Sequence, residues 1–244
     1  MDGRNHVLEA WGEFACFSRP ELKVERWSYP CPTPSAARGV FDAIYAKPEE
    51  FCWQITRIEV LRPIAYIALR RNEVKDVVNV TAAMNWMAGK DEPVPIWADG
   101  DKALLGSDEK GRTQRQTMAL RDVRYRLHAR IRPWPGHESK QTALDSQFQR
   151  RASQGKCFMQ PYFGCREFPA YFQLPADDPL SPPEPIHMDI GLMLYDVFDL
   201  SRPGCGQDSP SISLFQARLV NGVLDVPAYE DPGVLKPMGR ASEC

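Results

Sequence analysis

Between Thr117 and Ile131 the chain alternates, with Met118, Leu120, Val123, Tyr125, Leu127 and Ala129 apolar. Around them, residues 112–132 carry seven arginines (112, 115, 121, 124, 126, 130 and 132) against the single acid Asp122. A period of two is that of a β-strand, so Val123, Tyr125 and Leu127 face one way while Arg124, Arg126 and Arg130 face the other. This segment limits the folds open to the chain. One face needs a hydrophobic core, and the other needs water, carboxylates from elsewhere in the chain, or a polyanion. Two readings of the arginine face stand at this point: a track for RNA phosphates, and a solvated face packed on acids.

The neighbouring segments supply such a core. His6–Phe17 reads as a strand with Leu8, Ala10, Phe14 and Cys16 on one parity, and Gly12 inside it marks a bulge or a close backbone approach. Thr33-Pro34-Ser35 offers an N-cap and a proline at the first helical position, and Ala37, Val40, Phe41 and Ile44 follow at helical spacing up to Tyr45–Lys47. Phe51, Trp53 and Ile55 alternate, Ile58 and Val60 continue on the other parity, and Ile64–Leu69 is apolar again after Pro63. The stretch 74–113, rich in Gly, Asp, Lys and Pro, reads as a long functional or mobile loop. Lys140–Gln154 reads as a polar helix ending at Gly155. Short strands are expected at Cys157–Gln160, Arg166–Phe172, Gly191–Phe198, Ser211–Val220 and Val223–Val226, with Asn221-Gly222 as a hairpin turn. The order predicts an α+β fold, a ferredoxin-like βαββαβ domain over 1–174 and a small C-terminal antiparallel β appendage over 186–244. The proline-rich linker 175–185 separates them.

At 244 residues, with 43% hydrophobic and 25% charged residues and a net charge of −2, the chain is an ordinary globular protein rather than a disordered or collagen-like one. The apolar stretches near Val60 and Leu192 are interrupted by Arg or Asp, so no membrane span is expected. Asp2, Arg4 and Glu9 leave no secretory apolar stretch in Met1–Ala10, and the expected location is the cytoplasm. Seven cysteines without a CxxC pair read as reduced core thiols, not as a disulfide scaffold or zinc ribbon. Charge is unevenly spread. Residues 173–244 hold 4 of the 30 Lys+Arg but 11 of the 32 Asp+Glu, so a polyanion belongs to the first two thirds.

Motifs for a serine hydrolase, a P-loop, a dinucleotide fold and a zinc protease are missing, and the four histidines (6, 128, 137 and 187) are dispersed. General acid–base chemistry without metal or cofactor is what remains. Its candidates are Tyr45 and Lys47 after the first helix, and His137, Lys140 and Lys156 around the second. An unperturbed phenol is a poor base at neutral pH, so Tyr45 needs a cation such as Lys47 to lower its pKa; its alternative role is packing on the sheet. Tyr125, Trp134, Tyr162 and Phe163 interleave with the basic residues and offer stacking surfaces for unpaired bases, or core.

Four segments in order, WGEFACFSRPELKVERWSYPCPTPSAARGVFDAIYAKP (11–48), ITRIEVLRPIAYIALRRNEV (55–74), RQTMALRDVRYRLHA (115–129) and FQRRASQGKCFMQPYFGCREFPAYF (148–172), resemble the Cas-five subunit of type I-C CRISPR systems, of the RAMP superfamily. The acidic C-terminal third matches only loosely. The resemblance implies a ferredoxin-like domain with a small β domain. It also implies metal-independent cleavage of CRISPR repeat RNA by attack of a ribose 2′-OH on its own phosphate, and retention on the crRNA 5′ handle within Cascade. The implied partners are that RNA, the backbone Cas-seven and large Cas-eight subunits, and target DNA indirectly. The other role open to such a chain is a non-catalytic cap on the handle.

The family's tyrosine looks like Tyr45 within AIYAKP. Its lysine, in some members followed by histidine, lies a few residues before the F-x-R-R-A helix. Here the sequence departs: ungapped alignment on Phe148–Ala152 places Ala143 and Leu144 there, and Lys140 takes the lysine's role only through a three-residue insertion. Tyr45 and Lys140 form the candidate catalytic pair, with His137 the rival donor to the leaving oxygen. The candidate RNA contacts are Lys23, Arg26, Arg38, Lys47, Arg70, Arg71, Arg115, Arg121, Arg124, Arg126, Arg150, Arg151 and Arg166.

Overall fold

The computed structural model describes residues 3–22, 24–75, 77–94, 111–175, 181–204 and 208–237. Its first strand, β1 (Asn5–Ala15), lies antiparallel to the long strand β5 (Arg112–Pro133), with Leu8 opposite Leu127 and Ala10 opposite Tyr125. Strand β3 (Phe51–Val60) runs antiparallel along the other side of β5, and β6 (Tyr171–Gln173) along the other side of β1. With β9 (Val223–Asp225) beyond β3, the order is β6-β1-β5-β3-β9, and β2 (Arg26–Trp27) and β4 (Tyr66–Val74) also pair with β5. A smaller antiparallel sheet is built from β10 (Val234–Leu235), β8 (Ser213–Leu219) and β7 (Met188–Asp196), in that order. The fold is mixed α and β with antiparallel sheets.

Helix α1 (Pro34–Ile44) starts where the Thr33 hydroxyl accepts the Ala36 N–H at 3.1 Å, and ends where Tyr45 turns to extended backbone. It buries Ala37, Val40, Phe41 and Ile44. Helix α3 (Gln141–Ser153) follows a 3₁₀ turn over Glu138–Lys140 and buries Leu144, Phe148 and Ala152. Phe41, Trp53, Phe148 and His6 meet with ring centroids 4.7 to 5.6 Å apart, joining both helices to the sheet. Losing a ring such as Phe148 or Trp53 to alanine costs about 3–5 kcal/mol in a core of this kind.

The parity change read in β3 has a structural cause: the register with β5 slips between Ile55 and Arg57, so Trp53, Ile55, Ile58 and Val60 are all buried. Gly12 is a close approach, not a bulge. A Cβ there would lie 2.8 Å from the Pro169 carbonyl oxygen. Asn221 and Gly222 both have positive φ, and Val220 and Val223 exchange backbone hydrogen bonds at 2.9 and 3.1 Å across them. The expected turn is there, but it joins strands of two different sheets.

Other expectations fail. Cys157–Gln160 is irregular, and the strand expected over Arg166–Phe172 shrinks to Tyr171–Gln173, because the 157–170 segment spends its backbone groups on turns such as Phe163 with Phe168. The long loop contains a helix, α2 (Val80–Met87), capped by the Asn79 side chain.

The chain divides into two compact units, Met1–Ile67 with Met118–Cys244, and Ala68–Thr117. In the first, Arg38 on α1 grips Asp196 of β7 through two hydrogen bonds, at 2.8 and 3.0 Å. In the second, Arg71 and Arg115 hold the two oxygens of Glu73 at 2.8 and 2.7 Å, and α2 has no buried residue. Among the described residues, no helix is long and apolar enough to cross a membrane, and the cysteines at 31, 52, 157 and 165 form no disulfide.

Candidate active site

Tyr45 is fixed from three directions. Its N–H donates to the Phe41 carbonyl at 2.9 Å as the cap of α1, its own carbonyl accepts the Trp53 indole N–H at 2.8 Å, and its ring packs on Phe51 at 5.4 Å. Arg151 of α3 adds a clip, donating to the Ile44 carbonyl at 2.6 Å. The chain then turns through 47–50, where the Lys47 carbonyl accepts the N–H groups of Glu50 and Phe51. Trp134 pins that turn, since its indole donates to the Pro48 carbonyl at 2.7 Å and its backbone N–H to the Glu50 carbonyl at 2.9 Å. Trp134 is therefore a structural residue rather than a stacking surface. Tyr125 and Phe163 are likewise buried in the core, and only Tyr162 of the four interleaved aromatics is partly exposed.

These contacts create a cleft of about 340 Å³ lined by Tyr45, Lys47, Glu50, Lys140, Ala143, Leu144 and Gln147. Residues far apart in sequence meet on one carboxylate. Lys47 Nζ donates to Glu50 Oε2 at 3.2 Å, and Lys140 Nζ to Glu50 Oε1 at 3.1 Å. Glu50, which the sequence reading did not select, is the only carboxylate in this lining. Hydrogen bonds from Lys140 and Lys47 hold its carboxyl below the ordinary value. Burial pushes the Tyr45 phenol above its ordinary value; Lys47 and Arg151 oppose the rise, and Glu50 adds to it. Lys47 does pull the phenol down, as the sequence reading requires of it, but burial outweighs that pull. Tyr45 is a hydrogen-bond donor at neutral pH rather than a phenolate base, and its hydroxyl has no partner among the described residues.

Lys140 lines the cleft together with Ala143 and Leu144, the positions that an ungapped alignment gives to the lysine and histidine of the resembling family. Three and four residues apart around a helix start, all three share one face, so a lysine one turn earlier reaches the same space. His137 does not line it. The buried Nδ1 of His137 has no partner among the described residues, and the His137 carbonyl accepts the Lys140 N–H at 3.0 Å. Lys156 is exposed outside the lining.

The arginine face has the predicted parity, but the chain supplies its own acids. Arg126 is 3% exposed and lies between Glu59 (2.6 Å) and Glu9 (3.1 Å), with a further hydrogen bond to the Ser181 carbonyl. Arg124 binds the other oxygen of Glu9 at 2.7 Å. Burial opposes ionisation of Glu9 and Glu59, but hydrogen bonds from Arg124 and Arg126 at one, and from His128 and Arg126 at the other, hold both below their ordinary values. Arg126 is therefore withdrawn from the set of RNA contacts, because removing it from two desolvated carboxylates would cost several kcal/mol. Arg38 is withdrawn for the same reason, held by Asp196 and Asp42.

Other candidates are also engaged. Arg151 clips α1 and lies 4.0 Å over the Phe158 ring, and Arg26 donates to Cys165 and Glu167. Arg121 and Arg166 are exposed, as is Arg150, which donates to Gln147 beside the cleft at 2.9 Å. In the second unit Arg70 is exposed, while Arg71 and Arg115 hold Glu73. Lys23 lies outside the described residues.

Comparison with known proteins adds a family. The model of a family described as CRISPR-associated protein, Cas5d type, matches residues 7–227. A protein of Mannheimia succiniciproducens named CRISPR pre-crRNA endoribonuclease Cas5d is 39% identical over 229 residues, covering 91% of this chain and 94% of that protein. Its namesake from Thermus thermophilus is 40% identical over 233 residues, covering 91% and 90%. Among solved structures, one described as a CRISPR-associated protein aligns with a TM-score of 0.62 at 17% identity, over 96% of this chain and 98% of its own. The Streptococcus mutans protein SMU1763c aligns with a TM-score of 0.61 at 18% identity, with the same coverage. These two likenesses concern the fold.

Proposed function

The chain belongs to the Cas5d family of CRISPR-associated proteins, and on that premise we propose that it is a pre-crRNA endoribonuclease whose chemistry takes place in the cleft of Tyr45, Lys47, Glu50 and Lys140. The observation that carries the assignment of the site is the meeting of Tyr45 and Lys140, from separate helix ends, around one carboxylate.

The reaction is metal-independent. A ribose 2′-oxygen bonds to the adjacent phosphorus, the P–O5′ bond breaks, and the products are a 2′,3′-cyclic phosphate and a 5′-OH. The 2′-OH proton needs an acceptor, the O5′ a donor, and the phosphorane a cation. The neutral phenol of Tyr45 donates a hydrogen bond that orients the reacting ribose and phosphate. The phosphate draws Lys47 and Lys140 away from Glu50, which frees that carboxylate to take the 2′-OH proton as its basicity recovers. The two ammonium groups face the charge that develops on phosphorus, and one of them protonates O5′.

The strand order β6-β1-β5-β3, with α1 joining β1 to β3 and α3 joining β5 to β6, supports the ferredoxin-like reading of the first domain. The family supports retention on the crRNA 5′ handle as a Cascade subunit beside the Cas-seven and Cas-eight proteins, in the cytoplasm. Of the candidate arginines in the first unit, the exposed Arg121, Arg150 and Arg166 form no ion pair among the described residues and are left to meet phosphates.

Incubating the protein with end-labelled repeat RNA in EDTA tests the function. One cut, with a cyclic phosphate detected by mass spectrometry on the upstream fragment, is expected. A gel shift without a cut at any enzyme excess would assign the chain to handle capping alone.

A further inference from the structure

A second cavity, of about 200 Å³, opens near residue 123 of β5, and its lining includes Trp11, Glu13, Arg62, Asp122, Val123 and Arg124. It forms where β5 changes partner. Leu61 N–H donates to the Arg124 carbonyl at 2.9 Å as β3 leaves, and Arg121 N–H donates to the Ala65 carbonyl at 2.9 Å as the chain approaches β4. Between these two bonds Arg62 forms an ion pair with Asp122. Asp122 itself has φ of 53°, a left-handed backbone that non-glycine residues seldom adopt and that concentrates at binding sites.

Two residues of the lining, Trp11 and Arg124, belong to a row of planar groups that Tyr171 extends outside it. Arg124 and Tyr171 are the register neighbours of Trp11 on β5 and β6, and so approach the indole from opposite sides. Tyr171 stacks on it at 6.2 Å with an interplanar angle of 29°, and the Arg124 guanidinium lies 5.4 Å from its centroid. Glu9 fixes that guanidinium at 2.7 Å. A planar base entering the cavity adds the next layer, since guanidinium planes stack on bases as aromatic rings do. Drug-sized ligands use roughly 300–1,000 Å³, so this space suits one ring system.

We propose that this cavity holds one unpaired guanine of an RNA strand, an inference that rests on the reading of the chain as an RNA-processing protein. Guanine follows from the acids. Glu13 and Asp122 carry carboxylates, which only accept hydrogen bonds, and guanine alone among the four bases presents two adjacent donors, N1–H and N2–H₂, to a carboxylate. Adenine and cytosine set one donor beside an acceptor, and uracil sets one donor between two acceptors. The catalytic cleft lies towards the other end of β5, where Pro133 pairs with Phe51. Nine residues of strand separate Arg124 from Pro133, about 30 Å at the usual rise. A strand held by its guanine here and cut there would be bound at two separate places.

The test is fluorescence anisotropy with labelled twelve-residue uridine RNAs carrying one central guanosine, adenosine or inosine. Wild-type protein binds the guanosine strand roughly tenfold or more tightly than the adenosine strand, in line with a good base-specific pair, and the inosine strand, which lacks the N2 amine, in between. Glu13→Gln with Asp122→Asn abolishes the preference; asparagine tolerates the left-handed backbone. Arg124→Lys keeps the charge but loses the plane, and brings guanosine binding down to that of plain uridine RNA. Equal affinity for all three strands, in a wild-type protein that still cuts repeat RNA, overturns the guanine site and leaves the endoribonuclease reading standing. Failure to bind or cut any RNA overturns both.

Discussion

Tyr45 acts as a donor because its surroundings disfavour the phenolate. Its pKa is raised by burial and by Glu50 against the pull of Lys47 and Arg151, so the hydroxyl keeps its proton through neutral pH and loses it only above the ordinary tyrosine range. Glu50 behaves in the opposite sense: held below its ordinary value by Lys140 and Lys47, it stays charged throughout the ordinary carboxylate range and above, so the clamp on both lysines is intact across the working range. Tyr45→Phe is expected to lower single-turnover cleavage by roughly a hundred- to ten-thousand-fold with RNA affinity unchanged, and Lys140→Ala to slow it comparably. His137→Ala, which alters no group of the cleft lining, should cut near the wild-type rate; a loss equal to that of Lys140→Ala in the same time course would move the second catalytic group to His137. Tyr45, Lys47 and Lys140 were legible in the sequence through helix ends and resemblance. Glu50 was not, because what marks it is a lysine 90 residues away, and side-chain spacing says nothing about such a meeting. Arg38 and Arg126 misled for a related reason: an arginine reads as basic in sequence whether or not a carboxylate from another element covers it.

Helix α1 and strands β1, β3 and β5 could be read from capping, period and parity, since each signal is local. Elements whose stability comes from distant partners could not. Strands β2 and β10, two residues each, exist only as additions to neighbours, and Cys157–Gln160 has a strand's composition without a partner. Helix α2 is hidden in the sequence because the Gly and Pro content of 74–113 marks a loop, and Asn79, its cap, lies before an apolar run that buries nothing. Packing between elements also sets a pH response. His6 of β1 has a buried side chain, donates its Nε2–H to Asp145 Oδ1 of α3 at 2.7 Å, and sits against Trp53 and Phe148. Burial lowers its pKa below 6.5 despite Asp145. The unfolded chain therefore binds the extra proton first, so the stability from neutral His6 is complete above about pH 6.5 and is lost as the pH falls towards the folded-state value. Thermal melts from pH 7.5 to 5 should show a falling midpoint that is shallower in His6→Gln. Parallel slopes in the two proteins would place the acid sensitivity elsewhere.

Across the whole molecule, the net charge of −2 combines a basic first two thirds with an acidic remainder, as the sequence indicates. What composition does not show is how many of those cations are already neutralised. The sheet that carries the arginine row also carries Glu9 and Glu59, and the surface left to RNA is smaller and more local than a continuous strand of arginines. RNA chemistry is thereby concentrated not on a broad electrostatic track but in the cleft at the junction of α1, the 47–50 turn and α3, where one carboxylate gathers two lysines beside a protonated phenol. If this cleft cuts RNA with the substrate's own 2′-oxygen, removing that oxygen stops the reaction and leaves binding intact. Repeat RNA is compared, in EDTA, with the same strand carrying a single 2′-deoxy residue at the mapped cut site. One cut in the all-ribose strand, and equal binding without a cut in the deoxy strand, are expected; cleavage of the deoxy strand at a similar rate would rule out the 2′-oxygen as nucleophile.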